Sequence, residues 1–362
     1  MTSRIVLLGA TGYTGRLTAE ALVARGARPV LAGRSPDKLA ALAEKLGGLE
    51  TARADVSDPA AVRALLEPGD VLVTTVGPFL QLGEPALAAA VDAGAIYLDS
   101  TGEPPFVRRV FEEFGPRADR ATLVPAFGMD YVPGNLAGAL ALQEAGDRAH
   151  RLDVGYSMQG TRGQAFSRGT LVSSIGVLFE PGFAFTGGRL VTQTPGHRTW
   201  RFDAAGRTRQ GLSIGGSEHL TLPALAPSLR EVGVFLDWLG PATGAAHLLS
   251  PFTGLAARVP GASGAAQRLA TALGRRVAEG PSGNEQVRDI AVAEVRDRVG
   301  ELVSRVELAG PEPYGFTGAM LAWGATTAAA SGVRTTGAAG PVQAFGLDAL
   351  TAGAAEAGLV RA

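Results

Sequence analysis

"RIVLLGATGYTGRL", residues 4–17, is the stretch whose reading decides the fold. An apolar run ends at Gly9, two further glycines follow at three-residue steps (Gly12 and Gly15), and the pattern then becomes helical. A strand that turns through such a loop into a helix is the context a dinucleotide site requires. Gly9 permits the tight turn, Gly12 lets backbone amides approach a pyrophosphate, and Gly15 allows close packing of helix on sheet. The helix N-terminus adds donors and partial positive charge that favour an anion. The loop residues Gly9, Thr11, Gly12, Tyr13, Thr14 and Gly15 are therefore expected to hold a dinucleotide.

Working outward, residues 1–130 alternate strand-like and helix-like segments. Further strands are expected at "RPVLAGR", "LETARADV", "DVLVTTVGP", "AIYLDSTG" and "ATLVPAFG". Apolar runs with so little alternation belong to strands buried on both faces, as in a parallel sheet covered by helices. "SPDKLAALAEKLG" opens with Ser35 as N-cap and Pro36 in the first helical position.

An NAD site ends its second strand with an acid for the ribose 2′-hydroxyl. Here that place reads Gly33-Arg34-Ser35, with Lys38 one turn on. An arginine there pairs with a 2′-phosphate, so the expected cofactor is NADP(H). Asp55, followed by Val56 at the end of the third strand, has two readings. It either reaches the adenine amino group or caps the next helix.

Composition prunes the alternatives. The chain has 362 residues, 46% hydrophobic and 19% charged, with a net charge of −1, so nothing in its charge favours nucleic acid or an anionic membrane. The first residues lack a signal-peptide cleavage site, and no apolar stretch reaches the roughly 18 residues of a membrane span. A cytoplasmic protein is expected. Cysteine is absent, which excludes disulfides and thiolate catalysis. Lys38 and Lys45 are the only lysines, so none of Tyr13, Tyr97, Tyr131, Tyr156 and Tyr314 has the Tyr-x-x-x-Lys partner that short-chain dehydrogenases need. His150, His197, His219 and His247 show no metal-ligand spacing, so no metal is expected. No Gly-x-Ser-x-Gly is present.

After residue 130 the period becomes two. "RLDVGYSM", "RTWRFDA", "TRQGLSI", "LREVGVFL", "IAVAEVRDRVG" and "ELVSRVELAG" predict a largely antiparallel sheet with one solvated side. The small-residue segment within 250–283 reads as a helical excursion or a mobile flap. "YGFTGAMLAWGATTAAASG" reads as a packed helix, and the tail is helical again.

The chain resembles the saccharopine dehydrogenase-like family, nearest its trans-acting enoyl reductase branch. The resemblance rests on "GATGYTGRL", "AGRSPDKLAAL", "VGPFLQLGEPALAAAVDAGAIYLDSTGE", "PAFGMDYVPGNLAG" and "EGPSG". It implies an α/β protein with an N-terminal Rossmann domain, residues 1–130, containing a parallel sheet. An inserted α+β domain with a mixed or antiparallel sheet, residues 131–315, would serve substrate binding and dimerisation. C-terminal helices of about 316–362 would return to the first domain. Homodimers and a small-molecule or carrier-bound substrate are implied as well.

By the same resemblance, Val76, Gly77, Pro78 and Phe79 line the cofactor after the fourth strand, and Gly102 follows the fifth. Asp130 and Tyr131, after the sixth, face the cleft between domains. Tyr131 is then a candidate proton donor and Asp130 its orienting partner. Packing accounts for Tyr131 equally well, and N-capping of the helix entered at Pro133 for Asp130. Arg162, Arg168, Arg198 and Arg201 are available to an anionic substrate. The expected activity is NADPH-dependent reduction of a C=N or C=C bond. The competing reading is a non-catalytic NADP(H)-binding sensor or partner protein.

Overall fold

The computed structural model describes residues 3–159, 182–237, 240, 243–256 and 287–362. Arg162, Arg168, the "EGPSG" stretch and most of the 250–283 segment lie outside these residues. The chain divides into two compact units. The first comprises Met1–Gly102, Phe106–Val132 and Pro313–Ala357; the second comprises Glu103–Pro105, Pro133–Glu312 and Gly358–Ala362.

In the first unit, β1 (Ile5–Leu8), β2 (Val30–Gly33), β3 (Thr51–Arg53), β4 (Val71–Thr74), β5 (Ile96–Asp99) and β6 (Thr122–Val124) form a parallel sheet. A two-residue strand from far along the chain, β15 (Gly337–Ala338), completes it, in the order β15-β6-β5-β4-β1-β2-β3. Every residue of β1, β2 and β4 is buried, as the unbroken apolar runs predict. The order reverses between β1 and β4, and at such a switch point the strand ends open a crevice for ligand.

Helix Pro313–Ser331 is apolar all round because it is packed on several sides. It lies against helix Tyr13–Ala24 through Gly318, where an added Cβ would stand 3.0 Å from the backbone of Leu17. Trp323 of this helix clusters with Phe127 and Phe345, with ring centroids 5.0–6.2 Å apart. No helix among the described residues is long and apolar enough to cross a membrane.

In the second unit, β7 (Arg151–Gln159), β10 (Thr199–Ala204), β11 (Arg207–Ile214), β12 (Glu231–Asp237), β13 (Arg288–Arg296) and β14 (Leu302–Ala309) are joined by β16 (Val360–Arg361). Their order is β10-β11-β12-β7-β13-β14-β16, with β8 (Gly182–Thr186) and β9 (Arg189–Gln193) branching from β12. β7 and β12 run parallel and the other neighbours antiparallel, so the sheet is mixed. Phe202 spreads its ring over Gly155, where a Cβ would come within 2.7 Å of it, and packs with Ile290 and Val292.

Candidate functional site

The glycine loop is built at the β1–β4 switch point. Gly9 N and Ala10 N both donate to Ala32 O, at 2.9 and 3.2 Å, which ties the turn to β2. Gly9 has φ +87°, and a Cβ there would sit 2.8 Å from Val76 Cγ2 and 2.9 Å from Thr75 Oγ1. Backbone conformation and space thus both demand glycine. At Gly15 a Cβ would fall 2.2 Å from Gly9 O, so the helix presses directly on the turn.

Gly12 differs from both. Its Cβ would meet only Gly9 O, at 3.4 Å, and the space in front of it is open. It is also the N-cap of helix Tyr13–Ala24 and, as a glycine, has no side chain of its own to cap that end. First-turn amides beside an open glycine form an anion cradle. Arg16 braces it by donating from Nη1 to Thr11 O at 2.8 Å. Thr14 O accepts from Thr18 Oγ1, and the Tyr13 ring meets that of Tyr314 edge-on at 5.2 Å.

At the end of β2, Arg34 and Lys38 are exposed. Ser35 occupies the N-cap position of helix Pro36–Lys45, but its side chain makes no capping hydrogen bond. The sequence expectation of a capping Ser35 holds for position and fails for chemistry. Asp55 does not cap the following helix either. Its Oδ1 accepts from Ser57 N and Ser57 Oγ, both at 2.9 Å, while Asp58 caps helix Pro59–Arg63 through Ala61 N. The Ser57 hydrogen bonds hold the Asp55 carboxyl below the usual range, helped by Arg34 and Arg53. Val56 is half-buried and packs on the core of the first unit.

In the loop after β4, Val76 leans on Gly9, and the exposed Gly77 joins Pro78 through a cis peptide. The Phe79 ring turns inward, 5.6 Å from that of Phe106. Its side chain belongs to the core, so only its backbone is open to the role expected of it.

The loops after β5 and β6 are locked to each other. Asp99, fully buried, accepts at Oδ1 from Thr101 N and Ala126 N, both at 2.8 Å, and its carbonyl accepts from Phe127 N at 2.7 Å. Ala126 and Tyr131 have φ of +58° and +116°, a region that non-glycine residues rarely occupy. Gly128 and Met129 are held by helix Pro313–Ser331. Met129 N donates to Thr317 Oγ1 at 3.1 Å, and Gly128 lies so near that a Cβ would be 2.6 Å from Thr317 Cγ2.

This scaffold presents Asp130 and Tyr131. The Asp130 carboxylate lies over Gly102, where a Cβ would stand 2.7 Å from Oδ2. It takes part in no hydrogen bond or ion pair among the described residues and does not cap helix Val132–Ala145. Burial of the carboxyl raises its pKa from 3.8 to about 6. Tyr131 is 4% exposed. The sequence marks the loop that Asp99 opens without giving Asp99 a role, and it does not mark Thr317 or Tyr314 as part of the site. "DSTG" does carry a signal for the first, since an Asp two residues before a bonded amide is a turn former.

Elsewhere, burial lowers the pKa of His219 to about 4 and also lowers that of His197. Among the described residues no group of three or more acids and histidines is placed to hold a metal ion.

Residues 5–122 match the Saccharopine dehydrogenase NADP binding domain. NADP(H) is its cofactor, and the open cradle at Gly12 fits a pyrophosphate. A Mycobacterium tuberculosis protein with the provisional name of trans-acting enoyl reductase is 41% identical over 187 residues, 48% of this chain and 44% of that protein. The trans-acting enoyl reductase of Mycobacterium ulcerans is 41% identical over 140 residues, 36% of this chain and 34% of that one. The chain thus spans less than half the length of these relatives. The apo saccharopine dehydrogenase (L-Glu forming) of Saccharomyces cerevisiae shares the fold, with TM-score 0.61 over 99% of each chain at 14% identity. The NADP binding domain with its parallel sheet, followed by a mixed-sheet unit, is thus the saccharopine dehydrogenase fold.

Proposed function

We propose that this chain is an NADPH-dependent reductase that saturates a C=C or C=N bond of a small or carrier-bound metabolite in the cytoplasm. The observation that carries the reading is the Asp130–Tyr131 loop. It is a strained, heavily braced segment at the carboxyl ends of the strands whose glycine loop forms the dinucleotide cradle. Such strain persists where surrounding structure over-determines it, and it clusters at functional sites. The names of the mycobacterial relatives support C=C as the bond reduced.

When bound, NADPH supplies a hydride. The chain's own residues then do the rest. The amides before helix Tyr13–Ala24 hold the pyrophosphate. Arg34, Ser35 and Lys38 hold the 2′-phosphate. Asp99 fixes the two loops, and Asp130 holds a proton on its carboxyl at a pKa near the working range of a general acid. The Tyr131 hydroxyl is a second proton-carrying group on the same loop. A homodimer assembled through the second unit belongs to the proposal, and light scattering checks it.

The test is NADPH oxidation against enoyl thioesters and imines. Turnover should fall by about 10²–10⁴-fold in Asp130→Asn, with NADPH affinity unchanged. A matching loss in Tyr131→Phe would place the hydroxyl on the proton's route. Tight NADPH binding without turnover on any of these substrates would refute the reductase and leave a sensor.

A further inference from the structure

We infer that Arg53 is a second cationic ligand for the 2′-phosphate, acting with Arg34 to select NADP(H) over NAD(H). The inference rests on NADP(H) being the cofactor and adds a residue to its recognition.

The parallel register places Arg53 of β3 directly beside Gly33 of β2, and Ala54 N donates to Gly33 O at 3.0 Å to fix it. Paired residues in a sheet project to the same face. On that face a Cβ at Gly33 would meet only Leu39 Cδ2, at 3.7 Å, in the first turns of helix Pro36–Lys45. Arg53 therefore leaves the sheet on the side of the helix that begins with Ser35 and carries Lys38. Gly33, lacking a side chain, leaves that ground clear.

Charge points the same way. Arg34 and Arg53 are both exposed, and neither forms a hydrogen bond or ion pair among the described residues. Both act on Asp55, whose carboxylate is already committed to Ser57. Two unpaired guanidiniums at neighbouring strand ends repel each other, and like charges so placed are unfavourable in a sheet. A phosphate monoester between them turns that repulsion into two charge-assisted contacts, each able to be bidentate. The uncapped Ser35 hydroxyl and the N-terminus of a ten-residue helix complete a site for a dianion.

Calorimetric titration of the whole chain with NADPH, NADH, adenosine 2′,5′-bisphosphate and 5′-AMP tests this without any turnover. Arg53→Gln should weaken NADPH and the bisphosphate by about 5- to 30-fold and leave NADH and 5′-AMP nearly unchanged. Arg53→Lys should recover part of the loss. Combined with Arg34→Gln, the variant should show a shallower dependence of NADPH affinity on salt, because fewer cations face the phosphate. No change in Arg53→Gln, or equal losses for ligands with and without the 2′-phosphate, would return Arg53 to solvent and overturn the inference. A wild-type protein that binds NADH as tightly as NADPH would instead defeat the NADP(H) reading on which it rests.

Discussion

Replacing Asp130 by Asn should make the protein more stable while making it a worse enzyme. The carboxyl lies against Gly102 with no hydrogen bond among the described residues, and burial lifts its pKa from 3.8 to about 6. The native state therefore holds on to a proton that the unfolded chain has released. Below about pH 4 the carboxyl is neutral in both states and contributes nothing. Between the two pKa values the contribution becomes progressively unfavourable. Asp130 is half-buried, so above about pH 6 the native protein carries a partly desolvated charge at a cost of up to about 3 kcal/mol, the ceiling set by two pKa units at 1.36 kcal/mol each.

An amide cannot ionise, so Asp130→Asn removes that cost. Its own unmet hydrogen bonds return part of it, leaving a net gain of about 1–3 kcal/mol near pH 7.5. At roughly 2–4 °C per kcal/mol the melting temperature should rise by about 2–12 °C. Melting curves of wild type and variant from pH 4 to pH 8 check this, and the gap should close as pH falls through 6 towards 4. An equal or lower melting temperature for the variant near pH 7.5, or a gap that ignores pH, would refute the buried-carboxyl argument.

Gly12→Val should abolish NADPH binding in a folded protein, because the side chain enters open space in front of the cradle and meets only Gly9 O at 3.4 Å. Unchanged NADPH titration by a folded variant would contradict it. Gly15→Ala, by contrast, forces a Cβ to within 2.2 Å of Gly9 O, so at least about 2–3 kcal/mol of stability should be lost on denaturant titration along with cofactor affinity. Thr317→Val removes the acceptor for Met129 N and should cost about 1 kcal/mol. Because it loosens the loop carrying Asp130, turnover should drop more than NADPH affinity, and the reverse ratio would count against that bracing role.

The parallel sheet was legible because its strands are buried on both faces and so read as unbroken apolar runs. The glycine spacing was equally plain, since each position answers to a separate local demand. Other features left no local trace. β15 and β16 are two residues long and carry no apolar run. The parallel pairing of β7 with β12 is a long-range contact that alternation cannot encode. Thr317 reaches Met129 across 188 positions, so its role exists only in the folded chain. Inward rotation of Phe79 likewise depends on Phe106, which follows 27 positions later and packs 5.6 Å away. Asp55 and Ser35 show the opposite limit. Residue type and position both fitted a cap, yet Asp55 bonds Ser57 and Ser35 makes no capping bond.

The bracing of the Asp130 loop by helix Pro313–Ser331 also sets the order in which this protein can mature on the ribosome. The six leading strands leave the exit tunnel early, yet the residue that holds Met129 is made only after the whole stretch Pro133–Glu312 of the second unit. Until then helix Tyr13–Ala24 lacks the partner on which Gly318 lies, and β6 lacks the strand that pairs with its outer edge. Closing a flexible loop of about 180 residues costs on the order of 4–5 kcal/mol in chain entropy. A second unit that folds first draws the ends of that loop together and removes most of this barrier. The nascent dinucleotide site therefore stays incomplete through most of translation, with the apolar flank of its first helix awaiting a chaperone or helix Pro313–Ser331.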